Sequence, residues 1–82
     1  MVVVHRAYGF RFVIYTLDHE PAHVHITGAG QAKVNLIGPD DVPELVYSIG
    51  IKRSDMRRLW AEVIEHRDSF LKEWERIHGR YE

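Results

Sequence analysis

Asp18-His19-Glu20-Pro21-Ala22-His23-Val24-His25-Ile26-Thr27 is the stretch on which the fold turns. Its first half holds H-E-x-x-H, His19 to His23, the pattern of zinc proteases, whose chemistry needs both histidines one turn apart on a helix. Pro21 within that span removes a backbone donor, and Asp18 ahead of it favours a turn. From Ala22 onward the residues alternate, with Val24 and Ile26 on one face and His23, His25 and Thr27 on the other. That is the period of a strand. The stretch reads as a turn that feeds a strand, and the protease reading falls with the helix it requires.

Upstream, Gly9 to Thr16 sets Phe10, Phe12 and Ile14 against Arg11, Val13 and Tyr15, again with a period of two and rich in aromatic and β-branched residues. Downstream, Gly28-Ala29-Gly30 predicts a hairpin turn, and Gln31 to Ile37 returns with Ala32, Val34 and Leu36 alternating with Lys33, Asn35 and Ile37. Strands therefore fall within about residues 2–37. Residues 38–43 form a loop by composition, and 44–49 are either a short last strand or an irregular approach to a helix. Ser54 is the candidate N-cap of that helix, over about 54–78. Met56, Leu59, Trp60, Val63, Ile64, Phe70, Leu71, Trp74 and Ile77 give it an apolar stripe, and Gly79 stops it. At 1.5 Å per residue it would run about 37 Å, long for so small a chain, and a kink is expected near His66 to Ser69. The predicted fold class is α+β: a small antiparallel sheet of three to five strands, one face covered by a long C-terminal amphipathic helix, as a single domain over 1–82.

A chain of 82 residues has room for one core. It buries roughly 60–65% of the surface its unfolded form exposes, so a protein partner or homo-oligomerisation is an expected source of added stability. With 45% hydrophobic and 28% charged residues it belongs with globular proteins. The absence of cysteine excludes disulfides, thiolate zinc sites and cysteine nucleophiles, and fits a reducing, cytoplasmic setting. The Val2 to Val4 run ends at His5 and Arg6, too short for a signal segment or a membrane span, so no membrane association is expected. A formal net charge of -1 stands against the basic excess of sequence-independent nucleic-acid binders and leaves a local patch as the route to RNA.

If the inward set of the strands faces the helix, then Arg11, Tyr15, His23, His25, Lys33 and Asn35 line the opposite face. Imidazoles beside an arginine, a lysine and a tyrosine can hold an anion such as a phosphodiester and move protons near neutral pH. His23 and His25 are the candidate catalytic residues, and Arg11, Tyr15, Lys33 and Asn35 the candidate substrate-binding ones. The plain alternative is the solvated side of an antiparallel sheet. The expectation is that no cofactor is needed. A divalent metal such as zinc on His19, His23 and His25, with Asp18 or Glu20, is the other reading. His23-Val24-His25-Ile26-Thr27 also matches part of the run of histidine-triad nucleotide hydrolases, with Thr27 in place of the third histidine. His66 and His78 have bland explanations on the helix. Trp60 and Trp74 read as core or interface anchors, and Arg57, Arg58, Glu62 and Glu65 as a solvated face. No reaction is fixed, and enzyme or binding protein stays open.

Arg11-Phe12 through Tyr15, then Asp18-His19-x-Pro21-x-His23-Val24-His25, then a helix carrying Leu59, Val63, His66, Leu71 and Trp74, together resemble the small bacterial family catalogued as domain of unknown function 4160. Its most specific part is Asp-His-x-Pro-Pro-His-Val-His, and Ala22 stands here where the second proline would be. The resemblance implies a compact sheet-plus-helix protein, encoded beside another small protein in gene pairs that look like toxin and antitoxin modules. It carries over Asp18, His19, Pro21, His23 and His25 as motif positions without a settled role. Three functions are expected: an RNA-phosphate-engaging module protein, a non-enzymatic partner-binding or regulatory protein, and a histidine-based metal-binding domain.

Overall fold

The chain reverses first at Tyr8-Gly9, where both residues take positive φ, 54° and 79°. Two such residues between strands are the mark of a type I′ turn, whose twist matches that of the strands it joins. The computed structural model describes residues 1–79. Strands β1 (Val2–Ala7) and β2 (Phe10–Ile14) flank this turn, and β3 (His23–Thr27) and β4 (Gln31–Asn35) flank the predicted hairpin at Gly28-Ala29-Gly30. β5 (Glu44–Ile49) completes a five-stranded antiparallel sheet in the order β1-β2-β3-β4-β5. The register slips between Val3 and His5, so that His5 pairs with Phe12. Gly30 lies where a Cβ would come within 2.5 Å of the Gly50 carbonyl, because the hairpin tip packs on the end of β5. Gly30→Ala is therefore expected to cost about 1–3 kcal/mol by overpacking, read as a lower urea midpoint at unchanged slope.

Helix α1 (Arg53–His78) runs as one element of 26 residues. No break interrupts it at His66 to Ser69, where a kink is expected: the helix contains neither glycine nor proline, and the buried residues Leu59, Val63, Phe70 and Trp74 lie along it on both sides of that point. Its start is also corrected. Lys52 occupies the N-cap without a side-chain cap bond, the Met56 N–H donates to the Lys52 carbonyl at 2.9 Å, and Ser54 lies inside the first turn. Ile51 and Met56, both packed against the core, stand at the two positions of a hydrophobic staple, which fixes the entry of the chain where a hydroxyl cap was expected. At the other end the Gly79 N–H donates to the Glu75 carbonyl at 2.7 Å, with Gly79 at φ 74°, as the sequence predicts.

All seven expected inward residues, Phe10, Phe12, Ile14, Val24, Ile26, Val34 and Leu36, join the helix stripe in one core. The rings of Phe12 and Phe70 stack at 5.6 Å, tying the middle of the sheet to the middle of the helix. The loop before β5 is pinned from the helix: Arg67 donates to the Asp41 carbonyl at 2.8 Å and to its Oδ1 at 2.6 Å. β5 itself is exposed along its whole length, including Leu45, Val46, Tyr47 and Ile49. Among the described residues no helix is long and apolar enough to cross a membrane.

Candidate functional site

Strand pairing sets His25 between Val13 and Lys33, and places His23 opposite Asn35 and Arg11 opposite Thr27. The expected polar residues of β2, β3 and β4 thus share one face. That face is not simply solvated. Val13 is fully buried on it, and His23 is only 4% exposed. The expectation that His23 points away from the helix-covered core needs correcting, because the Trp74 indole from the last turns of α1 lies against its ring at 5.1 Å. Trp74 is itself held there by donating its indole N–H to Glu20 Oε1 at 3.0 Å.

The segment between β2 and β3 folds back to bring a carboxylate to the histidines. The Asp18 N–H donates to the Tyr15 carbonyl at 3.1 Å, and the Tyr15 N–H donates to Asp18 Oδ2 at 3.3 Å. Asp18 Oδ2 then lies 3.1 Å from His23 Nε2 and 3.5 Å from His25 Nε2. His23 Nδ1 is 2.8 Å from the Pro21 carbonyl oxygen. A carbonyl only accepts, so Nδ1 carries the proton, and in a neutral ring Nε2 turns a bare lone pair toward the carboxylate. A proton shared between the two groups, or a cation between them, would complete this contact. Tyr15 closes the side, its ring edge-on to His25 at 4.8 Å.

The distances suit a cation. Two ligands of one ion, each bonded at about 2.1 Å, stand about 3.0 Å apart at a right angle and about 3.4 Å apart at a tetrahedral angle. Asp18, His23 and His25 each offer one donor atom, all within 4.8 Å of one another. This is a two-histidine, one-carboxylate face. His19, expected as a ligand, is exposed in the turn and takes no part in the group. Asp18 takes its place, because its side chain is the one bound to the Tyr15 backbone. Lys33 is half-buried beside His25, Asn35 donates to Glu44 Oε1 at 3.2 Å, and Arg11 is exposed two residues along the face from the Val13–His25 pair.

Burial holds the His25 pKa below its ordinary value of 6.5, with the positive charges of His23 and Lys33 acting the same way and Asp18 opposing. A lowered pKa means that the unfolded chain binds the proton more readily. The contribution of His25 to stability is therefore full above pH 6.5 and is lost as pH falls from 6.5 through the folded-state value. With chelator present, the urea midpoint of the wild type is expected to fall more steeply across that window than that of His25→Gln. Parallel curves would remove His25 as the cause.

No curated protein and no solved structure matches the chain. The profile of the family described as Domain of unknown function (DUF4160) matches residues 9–75, from the first turn through β2 to β5 and most of α1, and so takes in Asp18, His23, His25 and Trp74. The chain belongs to the DUF4160 family.

Proposed function

We propose that this protein is the RNA-directed member of a toxin-antitoxin-like pair, working in the cytoplasm through a divalent metal held by Asp18, His23 and His25. The observation that carries the reading is the convergence of two imidazole Nε2 atoms on one carboxylate oxygen, at 3.1 and 3.5 Å. With Asp18, His23 and His25 as its protein ligands, a bound cation would keep open coordination positions at which it would polarise a phosphate oxygen or a water. Lys33 beside the cluster and Arg11 farther along supply the positive charge that a phosphodiester requires, local enough to work at a net charge of -1. Tyr15 and Asn35 border the same ground.

The test uses protein purified without a histidine tag. Wild type expressed alone is expected to arrest growth, to bind zinc at this site and to cleave RNA only with metal present. The His23→Ala, His25→Ala double variant is expected to lose one equivalent of zinc and both effects. Unchanged toxicity or unchanged zinc stoichiometry in that variant would refute the assignment.

A second reading, a non-enzymatic partner-binding or regulatory protein, is favoured by β5. Its free edge carries exposed Leu45, Val46, Tyr47 and Ile49, and a groove lined by Leu45, Arg53, Met56, Arg57 and Trp60 runs between it and the first turns of α1. A partner strand added at this edge would gain backbone hydrogen bonds and apolar contact together. A stoichiometric complex with the neighbouring gene's product that survives the double histidine variant but not Val46→Lys supports this reading over catalysis.

A further inference from the structure

We propose that His5, Glu62 and His66 form a second divalent-cation site, structural in kind, that ties β1 to α1. The proposal is independent of the sheet-face cluster and uses none of its residues. His5 Nε2 lies 2.7 Å from Glu62 Oε1, and His66 Nε2 lies 3.8 Å from the same oxygen. The three donor atoms stand within 4.8 Å of one another. Ligands of one ion with bonds of about 2.1 Å stand about 3.0 Å apart at a right angle and at most about 4.2 Å apart, so the His66 spacing fits as it stands and the His5–Glu62 pair, at hydrogen-bond length without an ion, would open by a few tenths of an ångström to admit one.

Two features of the backbone bring these groups together. Glu62 and His66 are four apart on α1 and so project from one face of the helix. His5 reaches them because of the register slip in β1. Val3 pairs with Val13, and regular alternation would then set His5 opposite Arg11, on the far face; the extra residue sets it opposite Phe12, on the helix face. Re-aiming a side chain is what a β-bulge does. The site is half-buried, walled by Phe12 at 5.2 Å and Phe70 at 5.9 Å from the His5 ring. The His5 and His66 rings lie 4.3 Å apart.

The donor set selects the cation. Two imidazoles and a carboxylate suit zinc and its neighbours and not the hard, oxygen-seeking magnesium or calcium. Glu65 Oε2, 3.2 Å from His66 Nε2, adds negative charge beside that ring but lies outside the group of three. What marks the centre as structural is that its three ligands come from two elements far apart in the sequence, β1 and α1. Bound there, the ion would staple the first strand to the helix across 57 residues of sequence.

The experiment is a zinc titration of the untagged full chain, followed by calorimetry and by the melting temperature. The proposal expects two equivalents in wild type and one in the Asp18→Asn or His23→Ala, His25→Ala background, with the remaining equivalent raising the melting temperature. In that background Glu62→Gln and His66→Gln, each close in shape to the residue replaced, are expected to weaken zinc at least about tenfold and to abolish the thermal shift. Zinc binding untouched by both glutamine variants, or no zinc in the background, overturns the proposal. One equivalent in wild type that disappears with His66→Gln and persists with Asp18→Asn upholds this site while removing the sheet-face one.

Discussion

Trp74→Ala is expected to destabilise the protein by about 3–5 kcal/mol, the range for deleting a buried aromatic. Trp74 is 3% exposed within the core, donates to Glu20, backs His23 and lies tilted against the His78 ring at 4.0 Å. Truncation opens a cavity at the end of the helix, frees the turn that carries Asp18 and exposes His23. For a chain of this size the whole stability is about 4–12 kcal/mol, so the loss takes a third or more of it and unfolds much of the population only if the total lies near the lower end. Urea denaturation followed by far-UV circular dichroism measures the loss. Trp74→Phe keeps an aromatic ring and most of the apolar volume while losing the N–H donor and the second ring, so it should fall well short of the alanine effect. A Trp74→Ala loss no larger than that of half-buried Trp60→Ala would show that Trp74 does not anchor this end of the helix.

The second large effect is on metal affinity. Asp18→Asn should weaken zinc at the sheet-face cluster by about 100-fold or more, since it removes the only charged ligand, and loss of even an outer hydrogen-bond partner costs 10- to 100-fold. The fold should survive, because the asparagine carbonyl oxygen can still accept from the Tyr15 N–H. Competition against a chromophoric chelator gives the number. His19→Ala is the informative companion: exposed and outside the cluster, it should leave the affinity as it was. If His19→Ala matched Asp18→Asn, the turn would have a different conformation in solution.

Most of the sheet was legible because its residues obey a local rule. Phe12, Val24, Ile26 and Val34 alternate with polar neighbours, the glycines at 28 and 30 announce a hairpin, and the helix stripe recurs every three or four residues to Gly79. β5 left the choice of strand open because all its residues are exposed, so no buried face imposed a period on it. The features missed are those that depend on distant partners. Nothing near His5 in the sequence points to Glu62, and nothing near Asp41 points to Arg67. Glu62 and His66 did carry a readable signal, their four-residue spacing, but without His5 Glu62 reads as part of a solvated face and His66 as the border of the packed stripe. Within the motif, the sequence shows that Asp18 and His19 occupy a turn. Which of the two swings toward His23 is decided by backbone hydrogen bonds at Tyr15.

The meander has a consequence for synthesis. Each strand pairs with the one made just before it, so the sheet is assembled from local contacts and can form early and fast. Its cover is made afterwards: at 5–20 residues per second, the ribosome needs roughly one to five seconds to add the length of α1. During that interval Phe12, Val24, Ile26 and Val34 have nothing to pack against. Until α1 is in place the sheet exposes an apolar face, and slowing translation through α1 should raise the aggregated fraction without altering a single contact of the finished protein.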